Sequence, residues 1–184
     1  VLTLAPKKLA LGFSLIELII AIAIVGLVSA IAMPSYATWI KNSRVRTAAE
    51  SIQSGLQIAR AQAVKSNTLV EFKLDALLNS TWEINQCLST DNCNTPLHKR
   101  AATEGSSTEI IVTATPSASK RILFNNLGSV AANPIPFTQL EISLSGADRP
   151  LRVNLGVGGN TRLCDPNTTL AATDPRRCGN YDLP

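Results

Sequence analysis

The chain has 184 residues, 45% of them hydrophobic, with 17 Lys+Arg against 13 Asp+Glu. That length suits one ordinary domain plus an extension. The small basic excess, part of it Lys7 and Lys8, excludes a polybasic nucleic-acid arm. The single histidine, His98, excludes a histidine-rich metal site and leaves little room for histidine catalysis.

The first element is an apolar run that follows Lys7 and Lys8 and ends at Pro34. Phe13 to Met33 would make about 31 Å of helix at ~1.5 Å per residue, matching a hydrocarbon core of about 30 Å. Positive charge ahead of the run predicts a cytoplasmic N-terminus. A secretory signal peptide is the alternative, with Ser29-Ala30-Ile31-Ala32 as an imitation cleavage site. Glu17 argues against it, because a carboxylate at such depth costs about 2.5 to 3.5 kcal/mol on the gentler scales. An interfacial Glu17, solvated and favoured by the helix dipole, is the simpler reading. It leaves the other features unexplained.

Gly12-Phe13-Ser14-Leu15-Ile16-Glu17-Leu18 resembles the prepilin signature of type IV pilins and type II secretion pseudopilins. The resemblance implies that a prepilin peptidase cuts after Gly12 and methylates the new amine at Phe13. It makes Glu17 the residue that neutralises the amine of a neighbouring subunit. Such a pair makes two otherwise expensive buried charges tolerable and sets register more than it adds stability. Pro34 matches the family's helix proline, which should bend the helix. The implied partners are other pilin subunits, the peptidase and, before assembly, the inner membrane. The head is expected in the periplasm, then in the pilus. No cofactor and no enzymatic activity are implied.

Residues 35–66 contain no proline. Tyr36, Trp39, Ile40, Ala48, Ile52, Leu56, Ala59 and Ala63 recur at helical steps, an amphipathic pattern. The expected divisions are residues 1–12 as leader, 13–34 as transmembrane and filament-core helix, 35–67 as amphipathic helix, and 68–184 as a β-rich head. After Asn67 the period becomes that of strands. Val70, Phe72 and Leu74 alternate with Glu71 and Lys73, and Trp82 and Ile84 flank Glu83. Residues 109–113 and 121–124 are further candidates. Leu140, Ile142 and Leu144, then Leu151, Val153 and Leu155, alternate with polar residues. The pattern predicts an antiparallel sheet of about six strands packed on the second half of the helix, an α+β fold. Residues 87–107 read as a polar surface loop containing His98.

Residues 56–67 also resemble the helix end of the GspH/FimT group of minor pilins. In that group Ala-Arg (here Ala59-Arg60) precedes a polar residue and usually Glu-Ala, and Gln62 replaces that Glu. Residues 159–166 resemble the group's last strand.

The four cysteines lie in the C-terminal two-thirds. In an exported domain they read as two disulfides. Local pairing, Cys87 with Cys93 and Cys164 with Cys178, is the expectation. The second would close a loop worth about 3 kcal/mol in the chain-entropy model. Neither spacing is that of a zinc knuckle. Asn79-Ser80-Thr81 and Asn167-Thr168-Thr169 match the glycosylation sequon but read as turns. No Gly-rich loop opens a helix after a strand, so nucleotide binding has no support.

The functional reading is a minor pilin near the tip of a type IV pilus that helps prime assembly. A type II secretion pseudopilin and a DNA receptor are the alternatives. Some FimT-like members bind DNA through Gly-Arg-x-Arg. The matching stretch here is Gly159-Asn160-Thr161-Arg162, in which only the second arginine is present. Arg176 and Arg177 share the loop that Cys164 and Cys178 would close, so the candidate DNA contacts are Arg162, Arg176 and Arg177.

Overall fold

The computed structural model describes residues 13–75, 79–132, 135–171 and 173–179. The expected leader, with Lys7, Lys8 and Gly12, lies outside the described residues. One helix, α1 (Leu15–Ser66), runs 52 residues with Pro34 inside it. The chain divides into two compact units after Ala37.

In the first unit α1 is apolar and long enough to cross a membrane. Its large side chains, from Leu15 to Met33, are exposed. Ser29 returns its hydroxyl to the Val25 carbonyl at 2.7 Å, which satisfies a polar group inside an apolar run.

In the second unit α1 buries Val45, Ala48, Ala49, Ile52, Leu56, Ala59 and Ala63. These positions follow three- and four-residue steps, the stripe a helix lays on a core. Tyr36 and Trp39 belong to the same periodicity but stay exposed. Small residues bring the helix close to the sheets. At Gly55 a Cβ would lie 2.8 Å from Phe72 Cε2 and 2.9 Å from Trp82 Cε2. Trp82 donates its indole N–H to Ser51 Oγ at 2.9 Å, which satisfies a buried polar pair.

The head carries β1 (Leu69–Leu74), β2 (Trp82–Cys87), β3 (Thr95–Arg100), β4 (Ile111–Thr115), β5 (Arg121–Phe124), β6 (Gln139–Ser143), β7 (Leu151–Leu155) and β8 (Thr161–Cys164). They form two four-stranded sheets, ordered β3-β2-β1-β5 and β4-β6-β7-β8, antiparallel at every pairing. Register places apolar residues opposite one another: Phe72 with Ile84, Phe72 with Ile122, Val112 with Ile142, and Leu140 with Val153. Phe137, just ahead of β6, meets Phe72 edge-on with ring centroids 6.4 Å apart.

Two sequence expectations change. The single sheet of about six strands is two sheets, because alternation reveals strands but not neighbours. The chain leaves the first sheet for β4, returns for β5, and leaves again. Residues 87–107 also contain a strand. β3 is an edge strand whose residues are mostly exposed, so it lacks the apolar alternation that marks a half-buried strand. Its Pro96 is tolerated because an edge needs only one side of the ladder.

Candidate functional site

Two regions carry the candidate functional residues. The first is the N-terminal part of α1. Ser14 lies just ahead of the helix, and its carbonyl accepts from the Leu18 N–H at 3.1 Å. Glu17 therefore sits in the first turn, where the helix dipole favours a carboxylate. Phe13, Glu17 and the apolar side chains beyond them are exposed. Pro34 lies within the helix without ending it.

The second region is the C-terminal loop. Cys164 is bonded to Cys178 with Cα atoms 5.0 Å apart. The returning chain pairs beside the end of β8: Asp165 N–H donates to Arg176 O at 2.7 Å, and Cys178 N–H to Asp165 O at 2.9 Å. The candidate arginines are brought to this loop, but two of them are engaged within it. Arg162 Nη2 donates to the Pro175 carbonyl at 3.0 Å. Arg176 grips Asp174 with Nε at 3.1 Å and Nη2 at 2.8 Å. Arg177 donates its backbone N–H to the Asp174 carbonyl. Hydrogen bonds from the Arg176 side chain, then from its backbone N–H, hold the Asp174 carboxyl down to about 2 from the usual 3.8. The same pairing raises Arg176. A cavity of about 630 Å³ lies between α1 and the loop, lined by Trp39, Asn42, Arg46, Arg149, Asp165 and Arg176 among others. Much of its polar lining is committed. Arg46 pairs with Glu50 at 2.8 Å, and Asn42 Oδ1 accepts from the Asp148 and Arg149 N–H groups at 3.1 and 3.2 Å.

Two constellations were not legible in the sequence. Arg60, one residue of the helix-end motif, donates Nε to Gly128 O at 3.0 Å. Gly159 closes over the same spot: a Cβ there would sit 2.2 Å from Gly128 O and 3.1 Å from Arg60 Nε, at a φ of +76°. The helix end, the 125–129 turn and the β7–β8 turn meet at this junction. Arg60 and Gly159, both within motif stretches, thus hold the head together.

The other constellation is built on Glu71. Alternation along β1 places it on the solvent side, yet it is 4% exposed. Cys87 is joined to Cys93, closing a loop that contains Asp91. Arg121 links Glu71 to this loop, reaching Glu71 Oε1 at 3.3 Å and Asp91 Oδ1 at 3.4 Å. Asn85 donates to Glu71 Oε2 at 3.3 Å. The buried carboxylate is thus paired and hydrogen-bonded, as burial requires. Among the described residues no three His, Cys, Asp or Glu converge as metal ligands.

Similar folds occur among solved structures. The type IV minor pilin FimU of Pseudomonas aeruginosa is 21% identical in one crystal form, with a TM-score of 0.51 over 64% of this chain and 90% of that one. In a second crystal form it is 20% identical, with a TM-score of 0.53 over 65% and 87% of the two chains. The minor pseudopilin EpsH from the type 2 secretion system of Vibrio cholerae is 17% identical, with a TM-score of 0.48 over 67% and 98%. The FimU likenesses show a shared pilin-like fold. No curated protein sequence matches the chain. The prokaryotic N-terminal methylation motif matches residues 7–33. The family model described as type II transport protein GspH matches residues 48–159, more than half of the chain. The chain belongs to that GspH family.

Proposed function

We propose that this chain is a minor pilin, a structural rather than catalytic subunit near the tip of a type IV pilus, where it helps prime assembly. The observation that carries the reading is the methylation motif over residues 7–33, on a helix whose first half carries Glu17 as its single charged residue. On this reading residues 1–12 are the leader, Gly12-Phe13 is the cleavage point and Phe13 is methylated. Residues 13–34 hold the chain in the inner membrane and then in the filament core, with Pro34 bending the helix. Residues 35–67 carry the periplasmic head formed by 68–184. Once Phe13 carries a charged amine, a carboxylate one turn further on suits the amine of a neighbouring subunit.

The first test is processing. Intact-mass measurement of membrane-extracted protein is expected to show a chain beginning at methylated Phe13. An unprocessed chain, or one cut near Ala32, sinks the reading.

A type II secretion pseudopilin is the second reading, favoured by the description of the matched family as a type II transport protein. Deletion of the gene separates the two. Loss of surface pili supports the first, and loss of exoprotein secretion with intact pili supports the second.

DNA is a weaker candidate partner, because Arg176 is already paired with Asp174 and Arg162 is bonded to the loop carbonyl. Three arginines would neutralise at most about three phosphates, for a salt slope near −2.7 on duplex DNA. The protein in detergent is expected to bind duplex DNA little at physiological salt. Any low-salt binding is expected to fall when Arg162, Arg176 and Arg177 become Ala together. Tight binding that survives the triple change overturns both the site and its rank.

A further inference from the structure

Each sheet of the head has two outer strands, and three of these four edges are blunted. β3 carries Pro96, which has no N–H to offer, and the basic run His98-Lys99-Arg100. β5 is engaged on its outer side, where the Ala131 N–H donates to Leu123 O at 2.8 Å and Phe124 bridges to Val130. The end of β8 is covered by the disulfide-tied return, with Asp165 bridged to Arg177. These are the usual ways in which a protein protects a sheet edge.

β4 has none of them. Its sequence, Ile111-Val112-Thr113-Ala114-Thr115, contains no charge, no proline and mostly β-branched residues. Among the described residues its sheet neighbour is β6 alone. Ile111 is 55% exposed. A cavity of about 370 Å³ is lined solely by residues 108–114 and Ser117, so no other element fills the space beside the strand.

Which backbone groups face outward follows from the pairing. Thr115 O accepts from the Thr138 N–H at 2.8 Å, so Thr115 turns its hydrogen-bonding groups toward β6. Groups alternate along an antiparallel strand. Thr113 and Ile111 therefore turn inward with Thr115, while Val112 and Ala114 present their N–H and C=O to the open edge. Their side chains are buried, whereas those of Ile111, Thr113 and Thr115 are exposed.

We propose that this edge pairs with the β4 edge of a second copy of the chain, antiparallel and across a two-fold axis through Thr113. In that register Val112 of each copy lies opposite Ala114 of the other, so all the outward groups are bonded. Ile111 meets Thr115, Thr113 meets Thr113, and Glu109 falls opposite Ser117. No like charges face each other, which is the condition that the basic β3 edge fails. A two-fold contact makes each interaction twice. The contact is small beside the roughly 1,200–2,000 Å² of stable interfaces. The pair is therefore a weak one, favoured where chains share a membrane. The register rests on the head sheet alone.

The test uses the full chain in membranes under mild oxidation. A non-hydrogen-bonded pair holds Cα atoms about 4.5 Å apart, inside the disulfide window of about 4.4–6.8 Å. Thr113→Cys is expected to give a reducible dimer well above that from Thr95→Cys on the β3 edge. Peptide mapping should find the Cys87–Cys93 and Cys164–Cys178 links intact. Ile111→Cys and Thr115→Cys chains are expected to cross-link when expressed together and not when expressed singly. Failure of Thr113→Cys to dimerise with its native links intact overturns the proposal, as does dimer equal to that from Thr95→Cys. Equal cross-linking of the single Ile111→Cys chain overturns the register.

Discussion

Gly159→Ala is expected to lower the melting temperature of the full chain in detergent by about 10 °C, from a loss of about 3 kcal/mol or more. Part is conformational: the left-handed region costs a non-glycine residue about 1–2 kcal/mol. The rest is steric. The new methyl would lie 2.2 Å from Gly128 O, and a backbone oxygen cannot rotate away as a side chain can. Forcing a methyl into a filled site costs about 1–3 kcal/mol. The Arg60 bond to the same carbonyl would be disturbed as well. Gly179→Ala is the control, since a Cβ there meets nothing within 4 Å. A melting point for Gly159→Ala equal to that of Gly179→Ala would mean that the 125–129 turn yields freely.

Glu17→Val is expected to leave insertion and head folding unchanged and to cut incorporation into filaments by ~100-fold or more. Insertion survives because the substitution removes a charge from an apolar segment. The head survives because its core draws on α1 only from Val45 onward. On the proposed function assembly suffers because the methylated amine of a neighbour would then have no carboxylate, and an unpaired buried charge costs about 3–5 kcal/mol. The measurement is the amount of variant in sheared filaments relative to the amount in membranes. Equal ratios for variant and wild type would remove the charge-pairing role from Glu17 and return it to a dipole-favoured surface carboxylate. The two substitutions separate head from helix, since the Gly159 change strikes the folded head and the Glu17 change only the assembly.

Local physics made much of this chain readable. The apolar run, its lone Glu17 and Pro34 lie within one stretch, so their meaning does not depend on distant residues. The second-half helix face and most strands follow from period alone, because side-chain direction repeats with the backbone. Ala48, Ile52, Leu56, Ala59 and Ala63 are buried as that period requires. β3 escaped because an outer strand needs no apolar face. The division into two sheets escaped because pairing is a long-range choice among strands that look alike.

The chemistry of single polar residues depended most on tertiary structure. Glu71 occupies a solvent-side position in β1 and is nevertheless buried and paired with Arg121, which also reaches Asp91 in the Cys87–Cys93 loop. Arg176 reads as available for phosphate from sequence, but Asp174, two residues away, turns its carboxylate onto the guanidinium Nε and Nη2. Gly159 belonged to a DNA-motif match and is required by a backbone oxygen in a different turn. In each case the deciding partner comes from another loop or from a turn geometry that hydrophobic period does not encode. Sequence alone therefore determined the long apolar helix, its charge and the α+β pattern, whose causes are local. The folded head decided which charges are spent, which glycine is indispensable and which sheet edge is left open, because those depend on what folding brings alongside.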